Sequence, residues 1–319
     1  MIPNQLQLYR VIESPSVTYD EIAERLNNQR SAPLNDCESR RLGWTAPAGK
    51  LNDLLLHEIQ GHRLLTARLQ ERKLPKGVIN EDLEKVVSHF ESEHGRPPSK
   101  KEKAALKEQV VESLLPRAFS RSYHFNLWWD TRKSMIGIDA STKAKAEDVL
   151  SLLRETLGSL KVIPLNTNTL PHKQFTDWLT DPGTRPPWLT LGGKAKFISK
   201  GDGTTFNANN ADMDGSEVQT MMENGYQCEH VAVVVENLAS CVITDNLALK
   251  EIKLKEAVIE ECDATAADDP LARFQSDFVI GAGALQSLIE QISASLGGLT
   301  PYKKRDTDSV TADNADAAA

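Results

Sequence analysis

A chain of 319 residues with 40% hydrophobic and 26% charged residues holds material for one large domain or two to three small ones, in the composition of a soluble globular protein. The formal net charge of −8 argues against a uniformly basic nucleic-acid binder, and no run approaches the roughly 18 apolar residues of a membrane span. MIPNQLQLYR has neither the basic nor the apolar stretch of a secretory leader, and the four scattered cysteines (Cys37, Cys228, Cys241, Cys262) have no CxxC spacing, so a cytoplasmic protein with free thiols and no zinc site is expected.

In chain order, residues 5–12 alternate as a strand, and Thr18 with Glu21 forms a capping box that opens a helix to about Gln29. Leu54 to Ile59 and Arg63 to Leu69 read as a hairpin turned at Gln60-Gly61-His62. Asn80 is placed as the cap of a helix that runs to His94 and is broken by Gly95-Arg96-Pro97-Pro98. A second capping box, Ser99 and Glu102, opens a helix ended by Pro116. Strands at 122–129 and 134–139 flank the turn Asp130-Thr131-Arg132-Lys133, with a helix from Thr142 to Leu157, closed by Gly158, and a short strand from Val162 to Leu165 after them.

Residues 166–225 are irregular apart from helical pieces at 175–179 and 216–223. Strands follow at 229–236, 239–244 and 249–254, then a short helix from Asp269-Pro270, a strand at 277–280, and a helix from Ala284 to Leu296 capped by Gly297-Gly298. The expected fold class is α+β: mixed antiparallel sheets with helices. The expected division is 1–75, 76–165, 166–225, 226–302 and a disordered acidic tail at 303–319.

No catalytic constellation emerges. His57-Glu58-Ile59-Gln60-Gly61-His62 spaces its histidines at i and i+5, about 140° apart on a helix, so they read as solvated hairpin histidines and not as metal ligands. Gly281-Ala282-Gly283 lacks the third glycine of a dinucleotide loop and reads as a tight strand-to-helix turn. Trp128 and Trp129 cannot share one face of a strand, so one of them is placed at a subunit contact or under a helix. No enzyme, metal or cofactor is expected.

Charge is unevenly spread. Arg96 to Lys145 carries eleven Lys and Arg against five Asp and Glu, a local balance of +6. Lys100, Lys103 and Lys107 form an i, i+3, i+7 stripe, with Lys101 beside it. In LLPRAFSR, an extended chain would put Arg117, Phe119 and Arg121 on one face, suited to a phosphate backbone or a partner surface; two neutralised guanidiniums beside a core ring is the competing reading.

LLPRAFSR at 114–121, AEDVLSLLRETLGSLKVIPL at 146–165 and FQSDFVIGAGALQSLIEQISASLGG at 274–298 resemble the RdgC family of recombination-associated proteins, with LGWTAP at 42–47 and the hairpin at 54–75 in matching places. The resemblance covers about residues 4 to 300. It implies a curved monomer of several subdomains that pairs into a ring-shaped homodimer, binds double-stranded DNA in a positive central hole without sequence preference, and limits the access of RecA to DNA. Single-strand binding stays open. It further implies a cytoplasmic, nucleoid-associated protein without catalytic activity, positive character near the hole from Arg117 and Arg121, and Phe119 packed across the dimer contact.

On charge alone, Lys100, Lys101, Lys103, Lys107, Arg132 and Lys133 join the DNA-contacting set. Residues 208–213 have asparagines where the family tends to carry lysines and a glutamine. The four aspartates of the tail are expected to compete weakly for the basic lining. The rival reading is a protein-interaction scaffold with no nucleic-acid role, favoured by the total charge.

Overall fold

Apolar doublets organise the centre of the molecule. Successive side chains of a strand point to opposite faces, so Leu64-Leu65 and Trp128-Trp129, all buried, demand cover on both sides of one sheet. The computed structural model, which describes residues 3–264 and 268–302, supplies it. Seven antiparallel strands run β2-β4-β5-β6-β1-β7, with β3 also on β4: β1 (Gln7–Glu13), β2 (Arg40–Thr45), β3 (His57–Ile59), β4 (His62–Arg72), β5 (Ser120–Asp130), β6 (Met135–Ile138) and β7 (Lys161–Pro164). The longest register joins β4 to β5 over eleven pairs, from His62↔Asp130 to Arg72↔Ser120.

One face packs on α1 (Tyr19–Asn28) and α4 (Lys143–Leu157) through Trp44, Leu65, Phe125, Trp129, Val149 and Leu153. Trp44 Nε1 donates to Thr156 Oγ1 on α4 at 2.8 Å. The other face, with Leu8, Leu64 and Trp128, shares its core with a second antiparallel sheet. That sheet is ordered β12-β11-β10-β8-β9: β8 (Leu189–Ser199), β9 (Thr205–Asn209), β10 (Tyr226–Val235), β11 (Ala239–Thr244) and β12 (Leu249–Leu254). The helices α5 (Pro171–Thr180), α6 (Ser216–Glu223), α7 (Glu256–Ala264) and α8 (Pro270–Ser295) complete this half. The two sheets are stitched where Leu6 and Leu249 exchange backbone hydrogen bonds at 2.7 and 2.9 Å.

Between β4 and β5 stands a helical hairpin, α2 (Lys76–His94) and α3 (Lys100–Leu114), in which only Leu83 and Val110 are buried. Both expected capping boxes are present, at Thr18 and Ser99, and Gly95 ends α2 in the left-handed region.

Four local expectations are corrected. α2 begins at Lys76, with Pro75 in the extended N-cap position, not at Asn80. The first arm of the 54–69 hairpin pairs only over His57–Ile59. The irregular stretch 166–225 contains β8 and β9. Its glycine pair hides the strand in the sequence, yet a Cβ on Gly192 would lie 2.9 Å from the Ala232 methyl, so glycine is what lets β10 approach at a register shift. The strand at 277–280 and the Gly281–Gly283 turn do not exist; both lie inside the 26-residue α8. Phe278, Ala282, Leu285, Ile289 and Ile292 repeat at i, i+4, i+7, i+11 and i+14 along its buried face, and that burial outweighs the roughly 1 kcal/mol that each glycine costs a helix. As expected, Trp128 and Trp129 take opposite faces of the strand, and both are buried, Trp128 on the α8 side and Trp129 under α4. The acidic tail at 303–319 lies outside the described residues.

Leu288, 0% exposed on α8, is the shared wall of this core. Leu288→Ala is expected to cost about 2–5 kcal/mol in urea denaturation, whereas Val78→Ala on the exposed face of α2 should stay within about 0.5 kcal/mol.

Candidate nucleic-acid interface

β5 changes character along its length. It is exposed from Ser120 to Ser122 and fully buried from Leu127 to Asp130. Pro116 ends α3, and Leu115–Arg117 form one 3-10 turn before Ala118 enters the extended region. Arg117 is therefore not on the strand with Arg121 as an extended chain would have it. The buried guanidinium of Arg72 donates to the Leu115 carbonyl and fixes this turn to the end of β4. Arg117 and Arg121 are both exposed, and Phe119 between them is 90% exposed, so the reading with a core phenylalanine and neutralised guanidiniums does not hold. Among the described residues, neither arginine pairs with a carboxylate within 4 Å.

Three cations gather on one ring. The Arg121 guanidinium lies 4.9 Å from the centroid of Tyr123, Lys145 Nζ 5.3 Å and Lys73 Nζ 6.0 Å. The ring's negative face holds them where they would otherwise repel. The β4–β5 register brings them together: Lys73 N donates to the Phe119 carbonyl at 3.0 Å, Glu71 lies opposite Arg121, and α4 delivers Lys145 across the sheet. Glu71 is the nearby carboxylate, 2.7 Å from Lys73 and 3.6 Å from Arg40, and Arg40 also bonds Asp148. Arg68 Nη2 reaches Ser122 Oγ at 3.1 Å on the same end of the sheet. Lys73, Tyr123 and Lys145 carry no signal in the sequence; they are distant along the chain, and only the strand register reveals them.

The lysine stripe is partly gathered. Lys100, Lys103 and Lys107 line the groove between α2 and α3, about 740 Å³ in volume, over Leu83, Val87 and Ala104. Lys101 is exposed and lies off that groove. None of the four pairs with a carboxylate among the described residues. Arg132 and Lys133 are not brought to this region. They sit beyond the far end of β5, about 30 Å along the strand from Arg121. There Lys133 Nζ lies 3.0 Å from Glu290 on α8, and Arg132 Nη2 lies 2.8 Å from His62 Nε2.

The hairpin histidines are buried, not solvated, with His57 4% and His62 3% exposed. α8 covers them: His57 meets the Phe274 ring edge-on at 5.4 Å. Donors approach both ring nitrogens of His62: the Arg132 guanidinium faces Nε2, and Trp128 Nε1 donates to Nδ1 at 3.3 Å, with Asp130 Oδ2, in a carboxylate that is 0% exposed, 3.8 Å from Nδ1. Burial holds both imidazoles below their ordinary range; for His62, Asp130 partly opposes the shift. Gly61 turns this hairpin at φ +78°, and a Cβ there would strike the Arg132 side chain at 2.9 Å. No group of three or more His, Cys, Asp and Glu among the described residues is arranged to hold a metal ion, and no described helix is long and apolar enough to cross a membrane.

A profile of the family described as "Putative exonuclease, RdgC" matches residues 1–299. The chain belongs to the RdgC family. Among curated relatives, the recombination-associated protein RdgC of Aeromonas hydrophila is 33% identical over 294 residues, covering 92% of this chain and 97% of its own. Those of Psychromonas ingrahamii (33%, 93% and 99%) and Proteus mirabilis (32%, 91% and 96%) are similar over comparable spans. The curated names attach RdgC proteins to recombination and indicate no enzymatic activity, while the family description carries the word exonuclease.

The buried histidines give a pH dependence of defined sign. Their folded pKa values lie below the unfolded value of about 6.5, so the unfolded chain binds protons first as the pH falls. Stability is then full above about pH 6.5 and declines below it, by up to about 1.4 kcal/mol per pH unit for each histidine. Urea denaturation at pH 7.0 and 5.5 checks this, and His57→Met should reduce the difference between the two.

Proposed function

We propose that this RdgC-family chain binds double-stranded DNA without sequence preference as a ring-shaped homodimer, and moderates recombination by limiting the access of RecA to DNA. The reading rests on one observation above the rest: exposed, carboxylate-free Arg117 and Arg121 flank a 90% exposed phenylalanine, beside a Tyr123 ring that carries Arg121, Lys73 and Lys145. The relatives' association with recombination points the same way. Cations that face phosphates release condensed counterions and need no contact with base edges. An acidic remainder of the surface repels duplex elsewhere. The action is occlusion of DNA, with Phe119 as the apolar anchor of the second copy and the lysines of α3 as further backbone contacts.

Arg117→Ala with Arg121→Ala is expected to weaken binding to unrelated duplexes alike and to make the salt slope shallower by about 0.9 for each phosphate that the variant no longer neutralises. Gel shifts across a salt series measure both, and a weakening confined to one sequence would point to base readout instead. Phe119→Ala should move the protein from dimer to monomer in size-exclusion chromatography with light scattering.

The exposure of Phe119 between two arginines also favours a protein hot spot. A scaffold without a nucleic-acid role predicts no shift of any duplex in the same gels.

A further inference from the structure

The cations around Tyr123 have less countercharge than they need. Lys73, Arg121 and Lys145 surround the ring, and among the described residues Glu71 is the one carboxylate bonded into the group, which leaves an excess of two positive charges. Arg40, which approaches Glu71 at 3.6 Å, is itself held by Asp148 on α4. An anion is the missing partner, and the chain carries one. Residues 306–319 contain Asp306, Asp308, Asp313 and Asp316 and no lysine or arginine, follow the basic run Lys303-Lys304-Arg305, and lie beyond the last family-matched residue, 299.

The root of that segment is pinned beside β1 and β7, the strand that follows α4. Thr300 N donates to the Asn166 carbonyl at 3.0 Å, Arg10 Nη1 donates to the Thr300 carbonyl at 3.0 Å, and Lys161 Nζ lies 5.9 Å from the Tyr302 ring. Lys161 follows the C-terminal end of α4, and Lys145 stands near its N-terminal end. Twelve helical residues and a four-residue link separate the two lysines by at most about 32 Å. Asp313 and Asp316 lie eleven and fourteen residues past Tyr302, a contour of up to about 40–50 Å, which spans that distance with the Tyr302 contact included.

We propose that the aspartates of 306–319 are the resident occupant of the cation cluster around Tyr123 and compete there with the phosphates of duplex DNA. The proposal rests on the duplex-binding reading above and adds a regulator to it. A tethered segment acts at an effective concentration on the order of millimolar, so a few screened ion pairs suffice for partial occupancy. Salt with a Debye length of about 10 Å at 0.1 M weakens the contact and releases the site.

The test compares the full chain with a full-length variant carrying Asp306→Asn, Asp308→Asn, Asp313→Asn and Asp316→Asn. The variant is expected to bind a 30-base-pair duplex about three- to ten-fold more tightly at about 50 mM salt, with the gain gone by about 0.3 M. In a Lys73→Gln, Lys145→Gln background the gain should vanish. Equal affinities of chain and variant, or a gain that survives in that background, would overturn the proposal while leaving duplex binding intact. A fluorescein-labelled peptide of residues 306–319, titrated into the four-asparagine variant, measures the contact without DNA. Salt-sensitive binding weakened by Lys73→Gln and Lys145→Gln supports the proposal, and no binding refutes it. If no form binds any duplex, the duplex reading fails and the peptide titration alone decides the tail contact.

Discussion

The β4–β5 pairing is the constraint from which the rest follows. Eleven consecutive residue pairs fix the two strands so firmly that a change at one end is a change of register at the other. Their turn end is dry: Asp130 is wholly buried, His62 nearly so, and α8 lies across them. Their open end is wet and basic, where Arg121 and Lys73 are exposed around the half-buried ring of Tyr123. A strand anchored in a core at one end holds cations at the other with little freedom left to lose on binding. That is the form of preorganisation that makes a few ionic contacts effective.

Net charge and local charge tell different stories, and the fold reconciles them. A total of −8 coexists with the +6 segment between Arg96 and Lys145 because register and helix direction sort the signs in space. Acidic residues near the basic end are already engaged, Glu71 with Lys73 and Asp148 with Arg40. Arg96 is likewise taken by Glu102, in a bidentate pair at the start of α3. The cations that remain are the ones a phosphate backbone would meet under the proposed reading.

Signals local in the chain are legible in the sequence. Capping boxes at Thr18 and Ser99, the glycine stops at Gly95 and Gly158, and the paired strands around Asp130 depend on residues a few positions apart. What escapes a reading of the sequence needs tertiary knowledge. α8 reads as strand, turn and helix because Phe278-Val279-Ile280 and two glycines carry local preferences that only the buried stripe overrides. β8 is hidden by Gly192 and Gly193, which serve the close approach of β10. The hairpin histidines read as solvated because nothing near them in sequence announces the helix that covers them, more than 200 residues on. At the candidate interface Arg117, Phe119 and Arg121 stand out from one contiguous stretch. Tyr123 with Lys73 and Lys145 do not, because their meeting is a product of the register.

The α2–α3 hairpin, with its two buried side chains, has a consequence of its own. Its helices rise about 28 and 22 Å from the sheet, and α3 returns to a root fixed by Arg72 and Leu115. Counting back from that root, each residue inserted or removed between Lys107 and Leu115 would swing the lysine row by about 100° around the axis. The compass bearing of that row is thus written in the number of residues, not in their packing, and a single-codon insertion could re-aim it while the two cores stayed as they are.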